Sequence, residues 1–376
     1  MTPVDPKLVE SMNAFGFELL SELAKEDEGK NVFICPPSMA VALSMLYNGA
    51  GGATRTAMAD ALQLKGMNVE SLNKASSALI ANLNSPGPGI RVRVANAIWA
   101  GSGDQLKPDF MDINKRYYGA RVSAVDFTDP ATVGKVNAWV RDKTAGRIPQ
   151  IVSAFDPLTI LCLTNAVYFD GAWMVPFERS ETKEADFTLA DGNRVRVPMM
   201  TQNEAMYYVE NDEFRATYFP YSGLRFRMYV FVHGKPDGLA GFVQGLSSAR
   251  WKAWLAEFGR SNGTHGLPRF TMEYQADQTM QAALKTLGMA DAFDRERADF
   301  SALSTRKSWI GQVVHKTGLV VNETGTIAAA ASAAMAVACV GRAEVIADRP
   351  FFCAIEDSKT GLIVFMGLIY DPTQTR

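Results

Sequence analysis

Histidine and cysteine are scarce in this chain: three histidines and four cysteines serve 376 residues. Cys35, Cys162, Cys339 and Cys353 have neither the paired spacing of a metal site nor the pattern of a disulfide framework. No His-Glu-x-x-His, Gly-x-Ser-x-Gly or phosphate-cradling Gly-rich loop occurs. A Cys339/His315 nucleophile–base pair can be drawn, but it lacks a protease signature and a positive neighbour. The chain therefore reads as a non-enzyme with no metal and no cofactor. Charge imbalance is also missing. A formal net charge of −2 gives no electrostatic case for nucleic acid or for an acidic membrane as partner. No apolar run follows Met1, and no stretch is long enough to cross a bilayer. A cytoplasmic protein is expected if Met1 is the true start, and a secreted one if a signal peptide has been removed. No Ser/Gly/Pro linker or charge run divides the chain, so residues 1–376 are expected to form one domain.

The strongest local signal is again a lack. Between Gly325 and Cys339 there is no charge and no proline, and almost no bulk. Two readings of this stretch stand side by side. Helix propensity makes Thr326 an N-cap before an alanine run. Side-chain size argues for a strand: Thr326, Ala328, Ala330, Ser332, Ala334 and Ala336 are small, while Ile327, Met335 and Val337 occupy the other parity. A period of two marks a strand with one face pressed closely against something. A segment that can stand outside and is also shaped for burial points to two states.

Along the rest of the chain, Leu8, Met12, Phe15, Leu19 and Leu23 predict an amphipathic helix over 6–24. Ser38 reads as the cap of a buried helix that ends at Gly49–Gly52. Helices are expected over 54–64, 68–84 and 108–118, and a strand over 90–100. The near-continuous apolar run 158–169 predicts a strand covered on both faces. Strands follow within 186–232. Helical spacing holds over 239–258 and 275–287, with a strand over 266–274 between them. Ile310–Val321 reads as a strand leading to the small-residue stretch, and two apolar strands close the chain. Asn165 and His315 lie inside apolar strands, and Trp173 reads locally as a core aromatic. Buried, such polar groups require partners, because an unpaired one costs about 1–3 kcal/mol.

The sequence Glu323-Thr324-Gly325-Thr326 followed by Ala328-Ala329-Ala330-Ala331-Ser332 resembles the hinge of the serpins, in particular compact bacterial-like members. Phe33-Ile34-Cys35-Pro36-Pro37-Ser38 and Thr164-Asn165-Ala166-Val167-Tyr168-Phe169 resemble two further family signatures, so the likeness spans nearly the whole chain. It implies an α+β serpin-like domain of three β-sheets and about eight or nine helices, with an exposed reactive-centre loop at about 323–346. It places Cys35, Ser38, Asn165 and His315 in the shutter, where the central sheet must part, and Trp173 at the breach, where the loop first enters. Serine is usual in the family where Cys35 stands, and an acidic residue where Ile327 stands. The hinge is Glu323, Gly325, Thr326, Ala328, Ala329 and Ala330. The family's spacing lands the reactive bond on Cys339–Val340, with Ala336, Val337 and Ala338 as protease subsites.

The function implied is suicide-substrate inhibition of a serine protease of elastase-like or subtilisin-like specificity, in a covalent 1:1 complex formed by a monomer. The alternatives are a papain-like cysteine protease as target, or a non-inhibitory scaffold of the same family. An exposed Cys339 would further allow reversible oxidation or glutathione capping to switch inhibition off.

Overall fold

The computed structural model describes residues 3–103, 106–326 and 342–374. Its strands in chain order are β1 Val32–Ile34, β2 Ile90–Gly101, β3 Arg121–Val125, β4 Leu161–Ala172, β5 Lys183–Thr188, β6 Arg194–Glu210, β7 Phe214–Pro220, β8 Phe226–His233, β9 Gly259–Pro268, β10 Phe270–Ala276, β11 Ile310–Val321, β12 Gly325–Thr326, β13 Arg342–Ile346, β14 Phe351–Asp357 and β15 Leu362–Ile369. Nine α-helices accompany them among the described residues.

Six strands form the sheet that leads into the small-residue stretch. Its order is β10-β11-β4-β2-β3, with β12 joined to β4 off that path. The other nine make a continuous network in which β6 meets β7 through three residue pairs only, Tyr208–Glu210 against Arg215–Thr217. That narrow join separates β1-β15-β14-β8-β7 from β5, β6, β9 and β13, so three sheets are recognisable, as expected.

The centre of the six-stranded sheet is buried on both faces, while its outer strands β10 and β3 keep exposed residues. On one face β2, β4 and β11 meet the main core, which includes the helix Pro36–Tyr47. On the other, Ala95, Ala97, Trp99, Cys162, Ala166 and Val314 pack against Val136 and Val140 of the helix Ala131–Lys143. A strand covered twice cannot alternate in polarity, which is why β4 reads as an apolar run. That strand begins three residues later than the run suggests. Leu158 is 79% exposed, and its N–H is held by the Asp156 carboxylate in a turn.

Three further expectations are corrected. The helix after Ile34 starts at Pro36 with Cys35 in the cap position, so Ser38 lies inside the first turn and is not the cap. Two prolines at its start lack N–H groups, which leaves fewer donors to cap. The strand placed at 266–274 is two strands, with β9 reaching back to Gly259. Its Gly-Arg-Ser-Asn-Gly-Thr stretch has no apolar alternation. Ladders to β6 on one side and β13 on the other hold it. Gly263 is required there, because a Cβ would lie 2.0 Å from the Ala343 carbonyl oxygen. Finally, Gln275 and Ala276 belong to β10, and the helix behind them begins at Gln278.

Candidate functional site

Strands β2, β4 and β11 bring three polar residues into one row. Asn96 on β2 pairs with Asn165 on β4, and Asn165 pairs with His315 on β11. At this level Asn165 and His315 are fully buried, so these groups must satisfy one another. The His315 ring is fully buried. Its Nε2 accepts from the Cys35 backbone N–H at 3.3 Å, which leaves Nδ1–H to donate to the Asn165 side-chain oxygen. The Asn165 amide nitrogen donates to Ser38 Oγ at 2.6 Å and to the Asn96 side-chain oxygen. The Ser38 hydroxyl in turn reaches Asn96 at 3.5 Å. Nearby, Thr317 Oγ1 donates to the Phe33 carbonyl at 2.6 Å, and Trp99 Nε1 donates to Thr164 Oγ1 at 3.0 Å.

This cluster is a clamp between strands and has no catalytic base in it. Burial strips water from His315 and depresses its pKa to about 3, so the ring is neutral at physiological pH. Burial also raises the Cys35 thiol to about 12, which removes it as a nucleophile. The position contributes its backbone N–H to the cluster, so cysteine where serine is usual leaves the His315 contact intact.

At the other end of the same sheet the strands separate. The parallel pairing of β11 with β4 runs from Ile310–Leu161 to Gly318–Tyr168 and stops. Beyond it, β12 takes the place on β4, antiparallel, with Gly325 opposite Ala172 and Thr326 opposite Gly171. The chain reaches this place through a tight reversal. The Asn322 N–H donates to the Gly325 carbonyl at 2.9 Å, and the Gly325 N–H returns to the Asn322 carbonyl at 3.2 Å. Gly325 has φ +145°, and a Cβ there would lie 2.3 Å from the Gly171 carbonyl oxygen. Only glycine fits.

Trp173 fixes the turn from below. Its indole N–H donates to the Asn322 carbonyl at 2.9 Å, and its backbone N–H donates to the Thr324 carbonyl at 3.1 Å. The ring stacks on Tyr221 at 4.5 Å, and the Tyr221 hydroxyl meets Thr326 Oγ1 at 2.8 Å. Glu323 is buried; its carboxylate accepts from Thr182 Oγ1 at 3.0 Å and from Arg269 at 3.3 Å. Thr326 is a strand residue paired with β4, and the helix it reads as capping lies outside the described residues.

Cys35, Ser38, Asn165 and His315 thus come together at one place, and Trp173, Glu323, Gly325 and Thr326 at another. Ala328, Ala329, Ala330, Ala336, Val337, Ala338, Cys339 and Val340 lie outside the described residues. The stretch expected to be the loop, 323–346, is tied down at both described ends: Glu323–Thr326 against β4, and Arg342–Ile346 as β13 beside β9. Asn96 was missed from the sequence. Only its register with Asn165 marks it.

The fold and these two places define a class: an α+β protein whose main sheet is closed at one end and wedged open at the other by its own next segment. The serpin (serine protease inhibitor) family profile matches residues 10–372. An uncharacterised serpin-like protein of Thermococcus kodakarensis is 35% identical, over 97% of this chain and 86% of its own. The leukocyte elastase inhibitor of Bos taurus is 32% identical, over 95% of this chain and 97% of its own. The crystal structure of a thermophilic serpin, tengpin, in the native state superposes with a TM-score of 0.91 at 31% identity, covering 98% of this chain and 95% of that one. The chain belongs to the serpin family. At family level that places it among protease inhibitors, outside the catalytic enzymes.

Proposed function

We propose that this serpin is a suicide-substrate inhibitor of serine proteases with a small, apolar primary pocket, elastase-like or subtilisin-like. The observation that carries the reading is the direction of β12. It runs antiparallel to β4 at the end where β11 has let go, so a strand continuing β12 would run down the seam between two parallel strands. Continued in the same register, that chain would set Ser332 opposite Asn165, at the level of the His315 contact. Insertion must therefore exchange the His315–Asn165 pairing for new ladder bonds and new burial.

The target's serine attacks the Cys339 carbonyl, the Cys339–Val340 bond breaks, and Val340 leaves as a new amino terminus. The segment from Thr326 to Ala338 spans about 43 Å as a strand, enough to carry the tethered enzyme from one pole of the molecule to the other. No charge or proline between Gly325 and Cys339 opposes burial. The small residues Ala336, Val337 and Ala338 fit a shallow pocket, and the likeness to an elastase inhibitor supports the same specificity. The complex is covalent and 1:1, formed by a monomer.

Incubation with elastase and with subtilisin tests this. An SDS-resistant complex is expected, with a released fragment beginning at Val340 and a higher melting temperature for the cleaved protein. Cleavage with neither complex nor added heat resistance indicates a non-inhibitory scaffold, and a complex with papain alone moves the target class to cysteine proteases.

A further inference from the structure

Tyr207 is the one exposed aromatic side chain among the described residues, at 42%. It lies on β6 just past the last rung to β7, opposite Arg260 of β9. Its ring stacks on Tyr218 of β7, with centroids 5.2 Å apart and an interplanar angle of 14°. Tyr218 pairs with Tyr229 of β8, and those rings are also 5.2 Å apart. Tyr229 meets Trp251 of the helix Ser248–Glu257 at the same 5.2 Å. Four rings thus form an unbroken file from the surface to a fully buried tryptophan.

Packing accounts for contact between buried rings. It does not account for a file that ends on an exposed phenol and has a place for a proton at each end. At the inner end the Trp251 indole N–H donates to a Glu356 carboxylate oxygen at 3.0 Å. Burial raises Glu356 to about 7, so near neutral pH this carboxyl can both accept a proton and return it. At the outer end Tyr207 is exposed, and water can take its phenol proton. The two middle rings are poor resting places. Burial raises the phenols of Tyr218 and Tyr229, the second to about 12. The Arg227 guanidinium lies 4.9 Å over the Tyr218 ring and reaches the Tyr229 hydroxyl at 3.5 Å. A cation there opposes positive charge on either ring, so an electron vacancy crosses them and does not stay.

We propose that this file carries oxidising equivalents out of the core, and that Tyr207 is the residue at which they emerge. A one-electron oxidant, such as the carbonate radical anion, removes one electron from Trp251. The indole proton moves to the Glu356 carboxylate along their hydrogen bond. An electron then passes from Tyr207 through Tyr218 and Tyr229 to Trp251, and Glu356 returns the proton. Tyr207 gives its phenol proton to water and is left as a neutral tyrosyl radical. One electron and one proton have then left Tyr207, and a thiol or ascorbate restores both as a hydrogen atom. Without the route, the tryptophanyl radical stays among Phe17, Phe231 and Phe352 and adds dioxygen, which opens the indole ring inside the packed core. None of this depends on strand insertion.

The intact protein is illuminated in the near ultraviolet with pentaamminechlorocobalt(III) as sacrificial electron acceptor, which makes tryptophanyl radicals in place. Flash absorbance is expected to pass from tryptophanyl to tyrosyl, and mass mapping to find dityrosine dimers joined through Tyr207. Tyr218→Phe keeps the ring and the surface phenol and breaks only the relay. It is expected to keep its melting temperature, lose at least about fivefold of the Tyr207-linked dimer, and gain kynurenine at Trp251. Trp251→Phe is expected to lose the dimer to a similar extent. Yields are read relative to direct nitration of Tyr207 by tetranitromethane, which needs exposure and no relay. Equal relative yields in wild type and Tyr218→Phe overturn the route and leave Tyr207 a surface phenol oxidised on its own. Equal yields in wild type and Trp251→Phe overturn its origin in the core. Should Trp251→Phe not fold, the Tyr218→Phe comparison alone decides.

Discussion

The two ends of the six-stranded sheet solve opposite problems with similar material. At the closed end, β4 and β11 are bonded directly, and polar side chains reinforce the join from His315 through Asn165 to Ser38 and Asn96. At the parted end the same two strands are held apart by two residues, Gly325 and Thr326, fixed mostly by backbone atoms. Side-chain hydrogen bonds make a join that can be exchanged, since an arriving strand can offer replacements. Backbone contacts around a glycine make a wedge that stays, since nothing else fits the space. The sheet is thus strongest at the level where an inserted strand must break it, and already open where insertion begins.

The sharpest way to break that contrast is at the wedge. Gly325→Val places atoms within 2.3 Å of the Gly171 carbonyl and forbids β12 from pairing with β4. The expected outcome is near-complete loss of trapping: elastase cleaves the variant without an SDS-resistant complex. The clamp should survive, read as an unchanged tautomer and an unchanged NMR shift for the His315 ring. Trapping at the wild-type rate would show that the wedge does not guide insertion.

Next in size is the converse change. Asn165→Ala leaves the buried His315 Nδ1–H without its partner and removes one of the two contacts of the Ser38 hydroxyl, which keeps Asn96. An orphaned buried donor costs about 1–3 kcal/mol, so a loss in that range is expected in denaturant unfolding. Hydrogen exchange should rise across β4 and β11 below Tyr168 and stay unchanged around Trp173. Uniform acceleration across the sheet would mean that the two ends are one unit.

Acid should also discriminate between the ends, through the clamp. His315 titrates near 6.5 when unfolded and near 3 when folded, because burial opposes its charge. Its contribution is whole above pH 6.5, where both states are neutral. Below that the unfolded chain binds a proton that the folded one refuses, and stability falls by about 1.4 kcal/mol per pH unit until pH nears 3. Glu356 opposes this over part of the range: burial raises it to about 7, so its contribution grows as pH falls from 7 towards 4.5. The comparison is therefore between wild type and His315→Gln, followed from pH 7 to 5 by urea midpoint. The variant should lack the histidine slope. Parallel profiles would mean that His315 is not buried neutral.

Much of the site was legible because its chemistry stands out against its surroundings. Asn165 and His315 are polar residues in apolar strands, so each needs a partner, and the family resemblance implied that they find each other. Trp173 gave less away, since a buried tryptophan is ordinary until its indole N–H is seen on the Asn322 carbonyl. Asn96 was not legible. Strand β2 mixes Arg91 and Arg93 with valines, so one more polar residue carries no signal without the β2–β4 register. Strand β9 was hidden for a related reason. Its first half has no apolar period, and two neighbouring strands supply the order its own side chains do not encode. Local rules misread Ser38 as a helix cap, because they see a helix start, whereas its hydroxyl is committed to a strand 127 residues away, beside the residues with which the family resemblance had grouped it.

The smallest expected effect concerns the acid that leads into the wedge. Glu323 is buried, but Arg269, its partner at 3.3 Å, is half exposed. An ion pair with one partner in water contributes little, about 0.5–1 kcal/mol. Glu323→Gln keeps an oxygen for Thr182 and loses only the charge. Unfolding stability should therefore drop by no more than about 1 kcal/mol, with the difference shrinking in 1 M salt. Insertion should barely change, because the Asn322–Gly325 reversal and the Trp173 contacts are made to backbone carbonyls that the substitution leaves alone. A large loss of trapping in Glu323→Gln would assign the guidance of the wedge to charge and not to the glycine turn.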